Sequence, residues 1–309
     1  MRAGLKARAP VAWATVVSAT IAILFVVRSA APQACIMASA SRQEPSPRRI
    51  ISLIPAATEM LFAVGAGPRV VAVGSYDRYP PEVSKLPTVG ALIDPNVERI
   101  LSLKPDLVVI YASQTDLKRQ LARAGITVFE YRHAGLADVT ETIRALGART
   151  GNAADANAVA GRIEHDLDDI RVRVRVLPRP RTLLVFGREP GSLRGLYASG
   201  GIGFLNDMLE IAGGANVFAS VRLQAVQAST EQVLAARPDV ILEVRASNDA
   251  FPTGRRGTEM DAWRTLASVP AVKNGRVVFL FDDRIVVPGP RVAEGTRLLA
   301  KTLHPDAFR

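Results

Sequence analysis

One short passage occurs twice in this chain. Residues 96–110 read NVERILSLKPDLVVI and residues 229–243 read STEQVLAARPDVILE. Glu98 matches Glu231, Leu101 matches Leu234, Lys104 matches Arg237, and Pro105-Asp106 matches Pro238-Asp239. Each copy opens on a capping residue, Asn96 or Ser229, and continues with apolar positions at helical spacing. Proline stops the helix, and the apolar run behind it has the pattern of a parallel strand buried on both faces. The copies begin 133 residues apart, too far for a solenoid and suitable for two similar α/β lobes. Two matching lobes imply a cleft, and a cleft implies a ligand.

The rest of the chain fits that frame from Arg49 onward. Ile50–Leu53 and Val70–Val73 read as strands, with a helix from Thr58 to Val64 between them that Gly65-Ala66-Gly67 ends. Leu107–Ile110, a helix over Asp116–Ala124 and a strand over Ile126–Tyr131 complete a first α/β lobe, placed at 49–152. Val159, Ile163, Leu167, Ile170, Val174 and Leu177 then recur every three or four residues without a break. They predict one amphipathic helix over 153–178, about 37 Å long and stopped by Pro178 and Pro180. A second lobe at 179–309 resumes the alternation: strand Thr182–Phe186, helix Phe204–Ile211, strand Val240–Val244, a helix starting at Trp263–Leu266, strand Val277–Phe281 and helix Val292–Leu303. The fold class is α/β, with two Rossmann-like lobes on parallel sheets, one long joining helix and the ligand cleft between the lobes. A rigid joining helix predicts little lobe movement on binding.

The first forty residues stand apart. Arg2, Lys6 and Arg8 precede an apolar run, Val11–Val27, and Ala38-Ser39-Ala40 is a small-x-small cleavage signature, the layout of an export signal. The run is long for a cleaved signal and at the lower edge of a membrane span, so an uncleaved anchor stays open beside cleavage near Ala40. Either way the mature chain belongs in the periplasm or on the cell-envelope exterior. Cys35 is the only cysteine, so no intramolecular disulfide forms. Pro32-Gln33-Ala34 before it is a poor match to a lipidation signal, and loss with the export segment is favoured. The segment carries Arg2, Lys6, Arg8 and Arg28 and no acid, so the net charge of +10 falls to +6 without it. No basic helix with interleaved aromatics follows, which excludes nucleic acid as a partner. The arginines read as solvated surface, and the protein as a monomer.

The motifs RIISLIPAATEMLFAVGA at 49–66, GSYDRYPPEV at 74–83 and PNVERILSLKPDLV at 95–108 carry a family resemblance. So do YASGGIGFLNDMLEIAGGANVF at 197–218, STEQVLAARPDVI at 229–241 and VPGPRVAEGTRLLAKTLHPDAF at 287–308. In that order they resemble the substrate-binding proteins of ABC importers with a helical backbone, which handle vitamin B12, haem and iron–siderophore complexes. The resemblance covers nearly the whole mature chain. It implies an exported receptor that captures a metal chelate between its lobes and delivers it to a membrane permease. The stretch at 75–81 resembles the vitamin B12-binding branch most, so cobalamin is favoured, with haem or an iron–siderophore as the alternative. The chelate would be cargo, and no cofactor of the protein's own is expected.

Glu98 and Glu231 each have two readings. A carboxylate in the first turn complements the helix dipole and needs no partner. The resemblance instead implies that the pair, one per lobe, docks onto basic groups of the permease, and a twofold permease would grip both. Ligand contacts are expected at the carboxyl ends of the strands: Pro55, Ala56 and Thr58 at a helix N-terminus, Tyr76 and Tyr79 after the second strand, and Tyr111 after the third. In the second lobe they are Arg188, Tyr197 and Arg245. Aromatic faces suit a flat corrin, porphyrin or catecholate, although half-buried packing explains such residues equally well. Tyr76, Tyr111 and Tyr197 fall where the vitamin B12-binding branch places aromatics, whereas Leu92, Ala225 and Arg284 occupy three other such places. His133 follows a strand and would be the candidate axial ligand in a haem-binding relative. His165 reads as solvated and His304 as structural.

No catalytic constellation is present: no G-x-S-x-G elbow, no phosphate loop and no histidine pair at metal spacing. Gly200-Gly201-x-Gly203 resembles a nucleotide fingerprint only superficially and reads as close backbone packing. The chain is therefore not expected to be an enzyme or to hold a metal site of its own. A different class, an envelope-anchored enzyme or assembly protein on the same scaffold, would require the apolar N-terminal run to be retained or the cleft to show hydrolysis.

Overall fold

The computed structural model describes residues 45–132, 134–249 and 255–309. The expectations for the export segment, Cys35 and His133 lie outside these residues. In the first lobe the chain runs β1 (Ile50–Ser52), α1 (Pro55–Ala63), β2 (Val70–Val73), α2 (Val97–Ser102), β3 (Leu107–Tyr111), α3 (Thr115–Arg123), β4 (Thr127–Tyr131) and α4 (Leu136–Thr150). The four strands are all parallel, in the order β2-β1-β3-β4. Ile50, Ile51 and Leu107–Ile110 are wholly buried, as a parallel sheet with helices on its faces requires.

The joining helix α5 (Ala153–Val174) has 22 residues, about 33 Å at 1.5 Å per residue. It buries Ile163, Leu167, Ile170 and Val174 of the predicted stripe together with Ala156 and Ala160, whereas Val159 is half-buried and Leu177 lies past the helix end. It ends at Val174, three residues before Leu177, the last position of the periodicity, and Pro178 disfavours the α region for Leu177 itself.

The second lobe contains β5 (Arg181–Gly187), β6 (Tyr197–Ser199), α6 (Phe204–Ile211), β7 (Ala215–Asn216), β8 (Ala225–Gln227), α7 (Thr230–Ala236) and β9 (Val240–Arg245). It closes with α8 (Arg255–Arg264), α9 (Pro270–Lys273), β10 (Val277–Phe281), α10 (Asp283–Val286) and α11 (Val292–Leu303). β10, β9 and β5 form a parallel core, as in the first lobe. Antiparallel β6 and β8 extend the sheet beyond it in the order β10-β9-β5-β6-β8, and β7 pairs with the start of β5.

Three features depart from the sequence reading. Helix α4 is additional to the sequence reading, because the alternation of strand and helix gives no reason for two helices in succession. It earns its place by burying Leu136, Val139, Ile143 and Leu146. Trp263 does not start a helix but lies near the end of α8, fully buried, with its indole N–H donated to Glu243 Oε2 at 3.1 Å. The stretch before it carries little apolar periodicity, so the pattern begins only at the tryptophan. The antiparallel edge is the third, formed by β6 and β8 of only three residues each, too short to show a strand pattern.

Packing explains how the lobes are joined. One continuous apolar core runs from the first sheet through α4 and α5 to Met208 and Leu209 of α6 and Leu299 of α11. Helix α5 packs against α4, α6 and α11, so the lobes share a helical layer rather than hanging from one strut. A smaller core around Trp263, Leu183, Val185 and Phe279 belongs to the second lobe alone. At Gly200 and Gly201 an added Cβ would lie 2.0 Å from the carbonyl oxygen of Leu223 or Ala219. These glycines serve close backbone packing.

Candidate ligand cleft and docking helices

The carboxyl ends of β1, β2 and β3 present the first lobe's side of the cleft. Pro55 opens α1, but the side chains of Ala56 and Thr58 are buried. This helix start offers backbone N–H groups of its first turn and no side-chain donor. Tyr76, 64% exposed, stands free on the loop after β2, and Ile93, 91% exposed, on the loop before α2. Gln114 holds that second loop to β3, its side chain donating to the Leu92 carbonyl at 2.7 Å and accepting from the Tyr111 N–H at 2.9 Å. Tyr111 is half-buried, its ring edge-on to Tyr131 at 5.3 Å, and burial raises its phenol pKa.

Asp77, between the two tyrosines of the β2 loop, was not singled out by sequence. Its carboxyl oxygens and the Thr58 hydroxyl are sealed from solvent, and none completes a hydrogen bond of good geometry. Burial pushes this carboxyl up to about 7, against the opposing pull of Thr58 and the Gly74 backbone. Nothing in SYDRY distinguishes Asp77 from an ordinary loop acid.

In the second lobe Tyr197, 42% exposed, lies 6.5 Å from Phe186, and Arg245 ends β9 at a pocket shared with Phe186, Phe204 and Ala225. The pocket holds about 420 Å³. Arg245 is fixed by Glu243, which accepts from its Nε at 3.0 Å and from its Nη2 at 2.8 Å. Arg188 departs from the expectation. It points into the lobe rather than the cleft, fully buried, paired with Glu243 at 2.9 Å and Glu259 at 2.7 Å and lying 5.7 Å from the Trp263 ring. Its role here is to neutralise two buried acids, because a buried charge must be paired. Arg284, one of the three non-aromatic cage positions, is likewise engaged, with Asp282 and Glu294.

Two carboxylates cross between the lobes. Glu59, in the second turn of α1, accepts a bidentate pair from Arg291, with Nε at 2.8 Å and Nη2 at 2.5 Å. The Arg291 guanidinium also lies 3.9 Å over the Tyr79 ring, so Tyr79 belongs to this clasp rather than to the open cleft. Burial raises the Glu59 pKa in spite of Arg291. On the other side Asp207 of α6 accepts from the Leu136 N–H at 2.9 Å, at the start of α4. A Cβ on Gly135 would lie 2.7 Å from that carboxylate oxygen, so glycine lets the acid reach the helix end. A second, fainter repeat could have revealed both. Glu59-Met60-Leu61 matches Asp207-Met208-Leu209, and Leu136-Ala137-Asp138 matches Val292-Ala293-Glu294.

The long repeat forms α2 with β3 and α7 with β9. Asn96 accepts from the Arg99 N–H at 2.9 Å, and Ser229 exchanges hydrogen bonds with Gln232 in a capping box. Asp106 receives the Arg48 and Arg49 N–H groups at 2.7 and 2.9 Å, and Asp239 receives that of Arg181 at 3.0 Å. Arg49 and Arg181 in turn donate to the carbonyls of Leu103, the C-cap of α2, and Ala236, the last residue of α7. The Pro-Asp pair thus registers each helix against the strand that opens its lobe. Glu98 and Glu231 are exposed in the first turns, and the Ser229 hydroxyl and the Glu231 backbone amide lower the Glu231 pKa. Among the described residues no group of three or more His, Cys, Asp or Glu is placed to hold a metal ion. His165 is 75% exposed, 3.7 Å from Asp169.

The sequence matches the periplasmic binding protein family over residues 50–283, and the chain belongs to that family. An uncharacterized ABC transporter substrate-binding lipoprotein, YvrC of Bacillus subtilis (strain 168), is 32% identical over 268 residues. The match spans 85% of this chain and 82% of that protein. The periplasmic vitamin B12 binding protein BtuF of Vibrio cholerae shares the fold with a TM-score of 0.70 at 27% identity, over 85% of this chain and 98% of the other. The periplasmic heme-binding protein RhuT from Roseiflexus sp. RS-1 in apo form gives 0.71 at 27% identity, over 85% and 100%.

Proposed function

We propose that this protein is an extracytoplasmic receptor of an ABC importer that takes up a flat metal chelate, cobalamin first, and passes it to a membrane permease. The observation that carries this reading is the pair of exposed tyrosines of a periplasmic binding protein fold, Tyr76 at 64% on the loop after β2 and Tyr197 at 42% at the start of β6, one from each lobe. Exposed aromatic faces suit stacking on a flat ligand, with a polar tip left in water. Tyr111, Pro55 and the first-turn amides of α1 would complete the first lobe's side. Glu98 and Glu231 would dock on the permease, one per lobe. A relative that binds vitamin B12 and shares the fold over 85% of this chain supports the choice of cobalamin.

A haem or an iron–siderophore is the second reading, favoured by one feature. Leu92 and Ala225 stand where a cobalamin cage would have aromatics, and Arg245 instead offers a guanidinium beside Phe186 and Phe204. A carboxylate-bearing porphyrin or an anionic siderophore suits that pocket. Calorimetry on residues 41–309 with cyanocobalamin, hemin and ferric siderophores in parallel separates the two. Cobalamin binding at micromolar concentration or tighter is expected. Heat from hemin or a siderophore with none from cobalamin would replace the first reading by the second.

A further inference from the structure

The repeated passage can be divided by what the fold already uses. Asn96 and Ser229 cap their helices, Ile100 and Val233 are fully buried, Pro105 and Pro238 are buried, and Asp106 and Asp239 hold the strand starts. Three matched pairs remain, and all six residues are exposed: Glu98 with Glu231, Leu101 with Leu234, and Lys104 with Arg237. The two leucines are 39% and 38% exposed, nearly the same value in both lobes. None of the four charged groups has an ion pair among the described residues.

The cations carry a second signal. Lys104 and Arg237 are the only non-glycine residues with positive φ among the described residues, at 48° and 44°. Glycine or asparagine is the usual occupant of such a helix end, yet both lobes place a long cation there. Spaced three apart, acid, leucine and cation run along one flank of each helix and off its end. Folding needs neither an exposed leucine nor a strained cation at these places, and the chain keeps both twice.

We propose that this acid–leucine–cation stripe, present once in each lobe, is the full docking element for a twofold-symmetric permease. The inference rests on the reading of Glu98 and Glu231 as docking contacts and extends it. At each of two equivalent places the permease would offer a basic group to the glutamate, an apolar recess to the leucine and an acidic group to the cation. The charges steer and orient the approach, and the leucine, dehydrated on docking, sets the lifetime of the complex.

The test measures association of the full chain with its importer, permease and ATPase subunits together, held in lipid nanodiscs. Leu101→Ser and Leu234→Ser are each expected to weaken binding roughly tenfold, mainly through faster dissociation, and the double variant more than either. Lys104→Gly with Arg237→Gly keeps the left-handed backbone and removes the cations. It should slow association while the melting temperature is unchanged or higher. Val172→Ser, at an exposed site on α5, is the control that should change nothing. If Glu98→Ala with Glu231→Ala weakens docking but the leucine double variant does not, the stripe is wrong and the glutamate reading survives. If the glutamate pair is also silent, both fall together.

Discussion

The two lobes fill equivalent slots at their junction with different chemistry. In the first, Glu59 of α1 reaches across to a guanidinium, Arg291, at the start of α11. In the second, Asp207 of α6 reaches across to a bare backbone amide, Leu136, at the start of α4. One fastening is an ion pair with its acid almost wholly buried, and the other is a carboxylate on a helix N-terminus, where the positive end of the dipole lies. The lobes also treat buried acids differently. Glu243 and Glu259 in the second lobe share Arg188, whereas Asp77 in the first has no cationic partner among the described residues, and burial pushes its carboxyl up to about 7. Near-symmetric backbones therefore do not imply symmetric energetics. The ionic clasp and the unpaired acid both lie on the side of Tyr76 and Tyr79.

The ionic clasp should give the largest effect. Arg291→Ala leaves Glu59 buried without its partner and is expected to cost about 3–5 kcal/mol of stability by denaturant unfolding. With the clasp intact and the apolar core shared, solution scattering should show little compaction on ligand binding. In Arg291→Ala the change should grow. A large compaction in the unmodified protein would break the view that the lobes are fastened on both sides.

Asp77 comes next. Its folded pKa lies above its unfolded value of about 3.9, so the folded state holds the extra proton. This group's contribution to stability is full below its unfolded pKa and is lost as pH rises through about 7. Asp77→Asn should therefore melt higher than the parent at pH 7.5, by an amount on the order of 3 kcal/mol, and match it near pH 4. Equal melting temperatures at pH 7.5 would mean that the carboxyl is solvated. The smallest effect belongs to the second fastening. Asp207→Ala removes a helix N-terminal acceptor and should cost about 1 kcal/mol, well below Arg291→Ala. Equal losses would erase the difference between the lobes.

The long repeat made most of this architecture legible. Each copy carries its cap, its periodic apolar positions and its stop within fifteen residues, so local chemistry alone defines a helix feeding a buried strand. The stripe of α5 is legible for the same reason. Helix α4 carries a readable stripe too, but it breaks the strand–helix alternation that organises the rest of the lobe. Residues that act through partners far along the chain were not legible. Glu59 and Arg291 are 232 positions apart, and Arg188 reads like any loop arginine until Glu243 and Glu259 close around it.

By itself the sequence determined two α/β lobes, the long helix between them and the exposed acid of each repeat, because spacing and capping act over a few residues. Only the tertiary structure decided which charges face the cleft and which are consumed inside. It withdrew Arg188 into the second lobe, gave Tyr79 to the clasp, and left Tyr76 and Tyr197 exposed and Arg245 at the edge of a pocket. Burial and pairing depend on which distant segments meet, and no local pattern records that.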